Sequence, residues 1–108
     1  MAEKMMDYDA EEDSFFIYSK DRHVKGSVDF GDFMLDFDDN GNVAGIEILN
    51  ASTVLEGLGV TKEMLSTAIK AGFTTSTHGD AMYIYFGIIM PNRPEARSMV
   101  AIPAIRHR

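Results

Sequence analysis

The stretch DFDDNGNVAGIE, residues 36–47, constrains the fold most, because it sets a strand register. Asn-Gly is the pair that best tolerates positive φ at both central positions of a tight hairpin. If Asn40 and Gly41 form a two-residue loop, directly paired residues have numbers that sum to 81: Phe37 faces Ala44, Leu35 faces Ile46 and Phe33 faces Ile48. All six are apolar and share one face, while Met34, Asp36, Asp38, Val43, Gly45 and Glu47 take the other. A slip of one residue would turn every core former outward, so the register is specific.

The same stretch has the spacing of a calcium loop, with Asp36, Asp38, Asn40, Asn42 and Glu47 at positions 1, 3, 5, 7 and 12 and Gly41 at position 6. Such a loop needs flanking helices. Here GSVDFGDFML before it and VAGIEIL within and after it read as strands, so the context favours the hairpin. A metal expectation survives in reduced form. Asp36, Asp38 and Glu47 share the outer face, with Asp36 and Glu47 as diagonal neighbours, and three carboxylates suit a hard divalent cation. The competing reading is a solvated acidic face that discourages sheet-to-sheet aggregation.

The 108 residues suit one domain: an acidic lead-in over 1–13, a β-meander unit over 14–58, and a helix with C-terminal strands over 59–108. Cysteine is absent, which excludes disulfides and thiolate chemistry and makes a reducing cytoplasm the simplest location. The start, MAEKMMDYDAEEDSFF, carries six acids and lacks the apolar run of a secretory signal. The longest apolar run, AMYIYFGIIMP at 81–91, has roughly half the ~20 residues of a membrane helix and suits a buried strand. Residues 1–50 hold thirteen acids against four Lys and Arg, a balance of −9, whereas residues 51–108 balance at +2. An acidic half without a basic stripe argues against nucleic acid, and it reads either as a solvated face or as a docking surface for a basic partner, with Asp9, Glu11, Glu12 and Asp13 as the candidate contacts.

Along the chain, SFFIYS (14–19) is a strand and KDRH (20–23) a turn. VKGSVDF (24–30) alternates Val24, Gly26, Val28 and Phe30 against Lys25, Ser27 and Asp29, a half-buried strand continuing past Gly31. Thr53 and Glu56 have capping-box spacing for a short helical turn. A better helix spans 61–71, capped by Thr61, with Glu63 in its first turn, a stripe of Met64, Leu65, Ala68 and Ile69, then Lys70 and the terminator Gly72. Strands follow at 73–77, 81–90 and 96–105, the last at an edge because Pro103 cannot donate to a ladder. The fold class is therefore α+β, βββαβββ-like: an antiparallel meander, one helix packed on the sheet, then further antiparallel strands. DSFFIY (13–18) and DAMYIY (80–85) echo one another, through convergent strand composition or partial duplication.

Tyr8-Asp9, Asp13-Ser-Phe-Phe-Ile17, the Asp/Asn-Gly turn and the block Gly45-Ile-Glu-Ile-Leu-Asn-Ala-Ser52 together resemble the small bacterial and archaeal proteins grouped as domain of unknown function 2283. The resemblance covers about residues 8–55. It implies a compact antiparallel β-unit and no particular activity. Ala10 stands where that family often has proline and Asn50 where it usually has aspartate, which puts in doubt any catalysis needing that carboxylate.

No metal-ligand spacing unites His23, His78 and His107, no nucleophile elbow occurs, and GLGVTK (57–62) lacks P-loop spacing. Tyr8 and Asp9 with Asp13 read either as an acid/base group or as turn capping. The leading expectation is a non-enzymatic interaction or self-association module, using the acidic half or an exposed strand edge toward a basic protein or a second copy, with no cofactor, nucleic acid or membrane. Two alternatives stay open. One is a small metal-dependent or acid/base enzyme using Asp36, Asp38 and Glu47, or Asp9 and Asp13 with a histidine. The other is an antitoxin-like partner of a basic protein.

Overall fold

The structure is a computed structural model and describes residues 4–103. Strands β1 (Lys4–Asp9), β2 (Ser14–Ser19), β3 (Gly26–Phe30), β4 (Phe33–Phe37) and β5 (Val43–Ile48) form one antiparallel sheet in the order β1-β2-β5-β4-β3. Two short helices, α1 (Ala51–Val54) and α2 (Lys62–Ser66), flank a 3-10 turn at Glu56–Leu58. Strands β6 (Lys70–His78), β7 (Ala81–Ile89) and β8 (Ala96–Pro103) make a second antiparallel sheet. The α+β class stands, with two sheets, and Pro103 lies on the edge strand β8 as anticipated.

The first sheet departs from a simple up-and-down run in two respects. Residues 4–9 of the acidic lead-in form an edge strand paired with β2, Met6 opposite Ile17 and Tyr8 opposite Phe15. Strand β2 then pairs with β5 rather than β3, so β3, β4 and β5 are a meander beside which β2 inserts, giving Greek-key order. Burial explains this placement. Phe15 and Ile17 are wholly buried and need neighbours on both sides, whereas GSVDF is short, polar and exposed on all but Phe30, as suits an edge. Val24 and Val28, expected half-buried, are exposed.

The hairpin register holds at its core and changes at its loop. Phe33 faces Ile48, Leu35 faces Ile46 and Asp36 faces Gly45 as the sum of 81 requires, but Phe37 faces Val43 across a bulge. The loop has three residues, not two. The Asp38 amide donates to the Asn42 carbonyl (2.9 Å), and the Gly41 amide donates to the Asp38 carbonyl (3.1 Å). Gly41 takes φ of 79°, while Asn40 keeps a negative φ. This is a turn followed by a left-handed residue, the usual three-residue hairpin. The longer loop shifts the pairing by one, and the bulge at Val43–Ala44 restores it, which buries both of those residues.

The helix expected over 61–71 stops at Ser66. Thr61 caps it as read, its hydroxyl accepting from the Met64 amide (3.2 Å). Beyond it the Thr67 hydroxyl donates to the Met64 carbonyl (2.7 Å), and the Ile69 amide donates to the Ile89 carbonyl (2.8 Å), which starts the second sheet. Ala71 and Phe73 then alternate inward as strand residues, and Ile69, assigned to the helical stripe, is 64% exposed. Thr53 lies inside α1 rather than capping it; Asn50, at φ of 52°, is the cap residue.

The inner faces share one core. Phe15, Ile17, Leu35, Ile46 and Ile48 of the first sheet join Phe73, Ile84, Phe86, Ile88 and Ile102 of the second, with Leu55, Val60 and Leu65 between. Rings of Phe33 and Phe86 meet across the layers at 6.0 Å. The sheets approach most extensively where β1 runs past β6.

Candidate functional site

Three places gather chemistry-bearing side chains. The first lies where the β1–β2 turn meets α1. Asp9 Oδ1 accepts from the amides of Glu11 (3.0 Å) and Glu12 (3.1 Å), closing the turn. This leads into Asp13 at φ of 56°, a conformation that Asp tolerates better than most residues. The Asp13 carboxylate accepts from the Tyr8 hydroxyl (2.7 Å), the Ser52 hydroxyl (2.6 Å) and the Ser52 amide (3.1 Å), and its carbonyl accepts from the Ala51 amide (2.8 Å). Burial alone would raise this carboxyl's pKa. The bonds from Ser52 and Tyr8 outweigh burial and hold it below its ordinary value. Tyr8 is pushed up, first by burial and then by its bond to the Asp13 carboxylate. Sequence reasoning grouped Tyr8, Asp9 and Asp13. The structure joins Tyr8 to Asp13, gives Asp9 to the turn, and adds Ser52, whose signal was the Ala-Ser ending of the resemblance block. Of the four proposed partner contacts, Asp13 is buried, while Asp9, Glu11 and Glu12 are exposed.

The second place is the outer face of the five-stranded sheet. Asp36 accepts from the Ser27 hydroxyl (2.6 Å) and lies 3.7 Å from Arg22 Nη1. Glu47 accepts from the Ser14 hydroxyl, and Asp38 Oδ1 accepts from the amides of Asn40 and Asn42, both at 2.9 Å. Each of the three expected metal carboxylates thus has its own local partner, and they do not converge. Among the described residues no group of three or more His, Cys, Asp or Glu is placed to hold a metal ion. Arg22, which sequence reasoning missed in its polar turn, lies across the Phe16 and Tyr18 rings at 4.6 and 4.7 Å from their centroids. It fits because residue 45 is glycine, where a Cβ would stand 3.1 Å from the Phe16 ring and 3.4 Å from Arg22 Nη1. His23 is exposed. His78, at the end of β6, has its Nε2 2.7 Å from the Ser76 hydroxyl, and His107 lies outside the described residues.

The third place is the outer face of β6-β7-β8. Gly72 pairs directly with Gly87, and Gly87 with Arg97. Ile89 and Tyr85 flank Gly87 on the same face, two residues either side. Two facing glycines between larger side chains leave an open trough of about 1180 Å³, bordered by Lys4, Lys70, Glu95 and Arg97. Ile69, Tyr85, Ile89 and Met99 are exposed on or beside it at 64%, 46%, 37% and 46%. The sequence hid this face because Ile69, Lys70 and Gly72 fitted a helix end as well as a strand.

Residues 5–52 match the family described as protein of unknown function, DUF2283. An uncharacterised protein of Methanocaldococcus jannaschii is 49% identical over 47 residues, a match covering 44% of this chain and 40% of that one. No solved structure matches the chain.

The matched segment runs from Met5 in β1 to the start of α1 and therefore contains the whole Tyr8–Asp13–Ser52 cluster and the bulged hairpin. Its motif residues tie the first turn of the sheet to the first turn of helix. The glycine trough lies mostly beyond the segment, on strands after residue 69. Among the described residues no helix is long and apolar enough to cross a membrane.

Proposed function

We propose that this chain is a non-enzymatic protein-interaction module whose docking surface is the outer face of β6-β7-β8. The observation that carries this reading is the exposure, on one sheet face, of Tyr85, Ile89 and Met99 with Ile69 at its margin, around a trough floored by glycine. Grouped exposed apolar side chains with a charged rim are the signature of a binding surface rather than of ordinary solvated protein. The acid/base alternative has less support, because the carboxylates it would use are engaged: Asp13 holds α1, and Asp36 and Glu47 hold neighbouring hydroxyls. The acidic half contributes in a different way, by making the two outer faces electrostatically unlike, so that a partner distinguishes them before contact.

A photo-crosslinking residue placed at position 85 of the intact chain in its own cells tests the reading. One discrete adduct is expected, lost when Ile89→Asp is added, with none from the same probe at position 29 on the other sheet. Equal, diffuse labelling at both positions would end the proposal.

A further inference from the structure

Resting on that reading of the face as a docking surface, we infer that the trough accepts an acidic segment of a partner protein. A partner carboxylate lies over Gly72 beside Lys70 and Lys4, and aliphatic side chains flank it against Ile89 and Tyr85. The chain already displays this chemistry one strand away. The side chain of Glu95 fills the space that a Cβ at Gly87 would take, its Oε2 2.5 Å and its Cδ 3.0 Å from that point. Arg97 Nε donates to the same Oε2 at 2.8 Å. A glycine floor, a carboxylate laid on it and a cation at its edge are therefore compatible on this sheet.

At Gly72, directly across the ladder, the floor is the same and the tenant is missing. A Cβ there would find only Lys4 Cγ, at 3.9 Å. The nearby cations are Lys70, exposed two residues along the same face, and Lys4, whose ammonium lies 4.5 Å from the Phe73 ring centroid. Charge complementarity selects the occupant. The trough borders hold Lys4, Lys70 and Arg97 against Glu95, whereas the outer face of the other sheet presents Asp7, Asp29, Asp36 and Glu47 against Arg22. An acidic segment is repelled from that sheet and drawn to this one. Glu95 is held in place by its loop: Arg93 donates to the carbonyls of Leu58 (3.0 Å) and Gly59 (3.2 Å), fixing the approach to β8.

The test is titration of the isotopically labelled full chain with two end-blocked peptides, Ile-Glu-Val-Glu-Ile and Ile-Gln-Val-Gln-Ile, followed by amide shifts. The acidic peptide is expected to move Lys70, Gly72 and Gly87 saturably and to bind at least about tenfold more tightly than the neutral one. Lys70→Glu should remove that preference, and Gly72→Val should abolish binding by filling the floor. Lys70 is exposed, so Lys70→Glu keeps the test valid if Gly72→Val fails to fold. Glu95→Gln frees Arg97 and should strengthen acidic-peptide binding several-fold. Equal affinity for the two peptides overturns the acidic occupant and leaves the docking face standing. No saturable shift on β6 or β7 with either peptide overturns the occupant too, and the crosslinking result then decides the face. Sedimentation of the chain alone showing a dimer that Gly72→Val dissociates would assign the trough to a second copy and overturn the separate partner.

Discussion

Asp13 combines three demands on one residue. It turns the chain at positive φ, accepts from Ser52 and Tyr8 through its carboxylate, and accepts from Ala51 through its backbone. Asp13→Ala leaves two hydroxyls and an amide unsatisfied and puts a poor residue at that φ. Urea unfolding should show a loss of about 2–4 kcal/mol, with Asp13→Asn clearly milder because Asn accepts one bond and tolerates the conformation. The acid limb follows from the direction of the shift. A carboxyl held below its ordinary 3.8 contributes stability that is full above that pH and is lost as pH falls through the folded value. The unfolding midpoint should therefore drop below about pH 4 in the parent and drop less steeply in Asp13→Asn. Tyr8 has the opposite slope at the other end, since its raised pKa contributes stability below pH 10.0 that is lost as pH rises beyond it. An alkaline titration followed by tyrosinate absorbance should contain a late step that Tyr8→Phe removes. The sequence placed Tyr8 and Asp13 near each other because they are close along the chain. It could not place Ser52, because that contact closes a loop of 39 residues through the pairing of β2 with β5.

At the scale of the element, the hairpin shows what pattern determines and what it leaves open. The apolar alternation set which residues of β4 and β5 oppose each other in the core, because only one register turns Phe33, Leu35, Ile46 and Ile48 inward together. Loop length escaped it, since two residues, or three with a compensating bulge, deliver the same core. The two loops differ at Asn40, which takes positive φ only in the shorter one. Asn40→Ala should therefore change stability by less than about 0.5 kcal/mol, whereas Gly41→Ala, at φ of 79°, should cost about 1 kcal/mol or more. Asp38→Ala, which removes acceptance from two amides, should cost about 1–2 kcal/mol. Chemical denaturation of the three variants checks the ranking, and equal losses at Asn40 and Gly41 would restore the two-residue loop. Residues 67–72 fit two patterns for a related reason. Ala68 and Ile69 continue a helical stripe, but Ala71 and Phe73 begin an alternation of period two, and the strand prevails because it buries Phe73 against Phe86. The echo between residues 13–18 and 80–85 has a physical counterpart, since both lie on strands with neighbours on each side and turn Phe15 and Ile17, or Met82 and Ile84, to the core.

At the scale of the molecule, strands β1 to β5 form a sheet whose inner face cannot be left open. Phe15, Ile17, Leu35, Ile46 and Ile48 are each wholly buried, and the second sheet with Leu55, Val60 and Leu65 supplies the rest of the cluster that covers them. Each such side chain is worth about 1.5–3 kcal/mol of burial, a sum comparable with the whole stability of a chain this size. Removing residues 59–108 should therefore leave no cooperatively folded monomer. A fragment of residues 1–58 is expected to lack slowly exchanging amides in β2 and β5, or to keep them only in an oligomer that covers the same face with a second copy. Hydrogen exchange combined with sedimentation distinguishes these outcomes from a protected monomer, which would refute the shared core. The latch of Tyr8, Asp13 and Ser52 does not rescue the fragment, because it joins α1 to the edge of the sheet and leaves the apolar face uncovered. Hydrogen bonds at the rim define the geometry of the unit, and the layer supplied by β6, β7 and β8 makes that geometry stable in water.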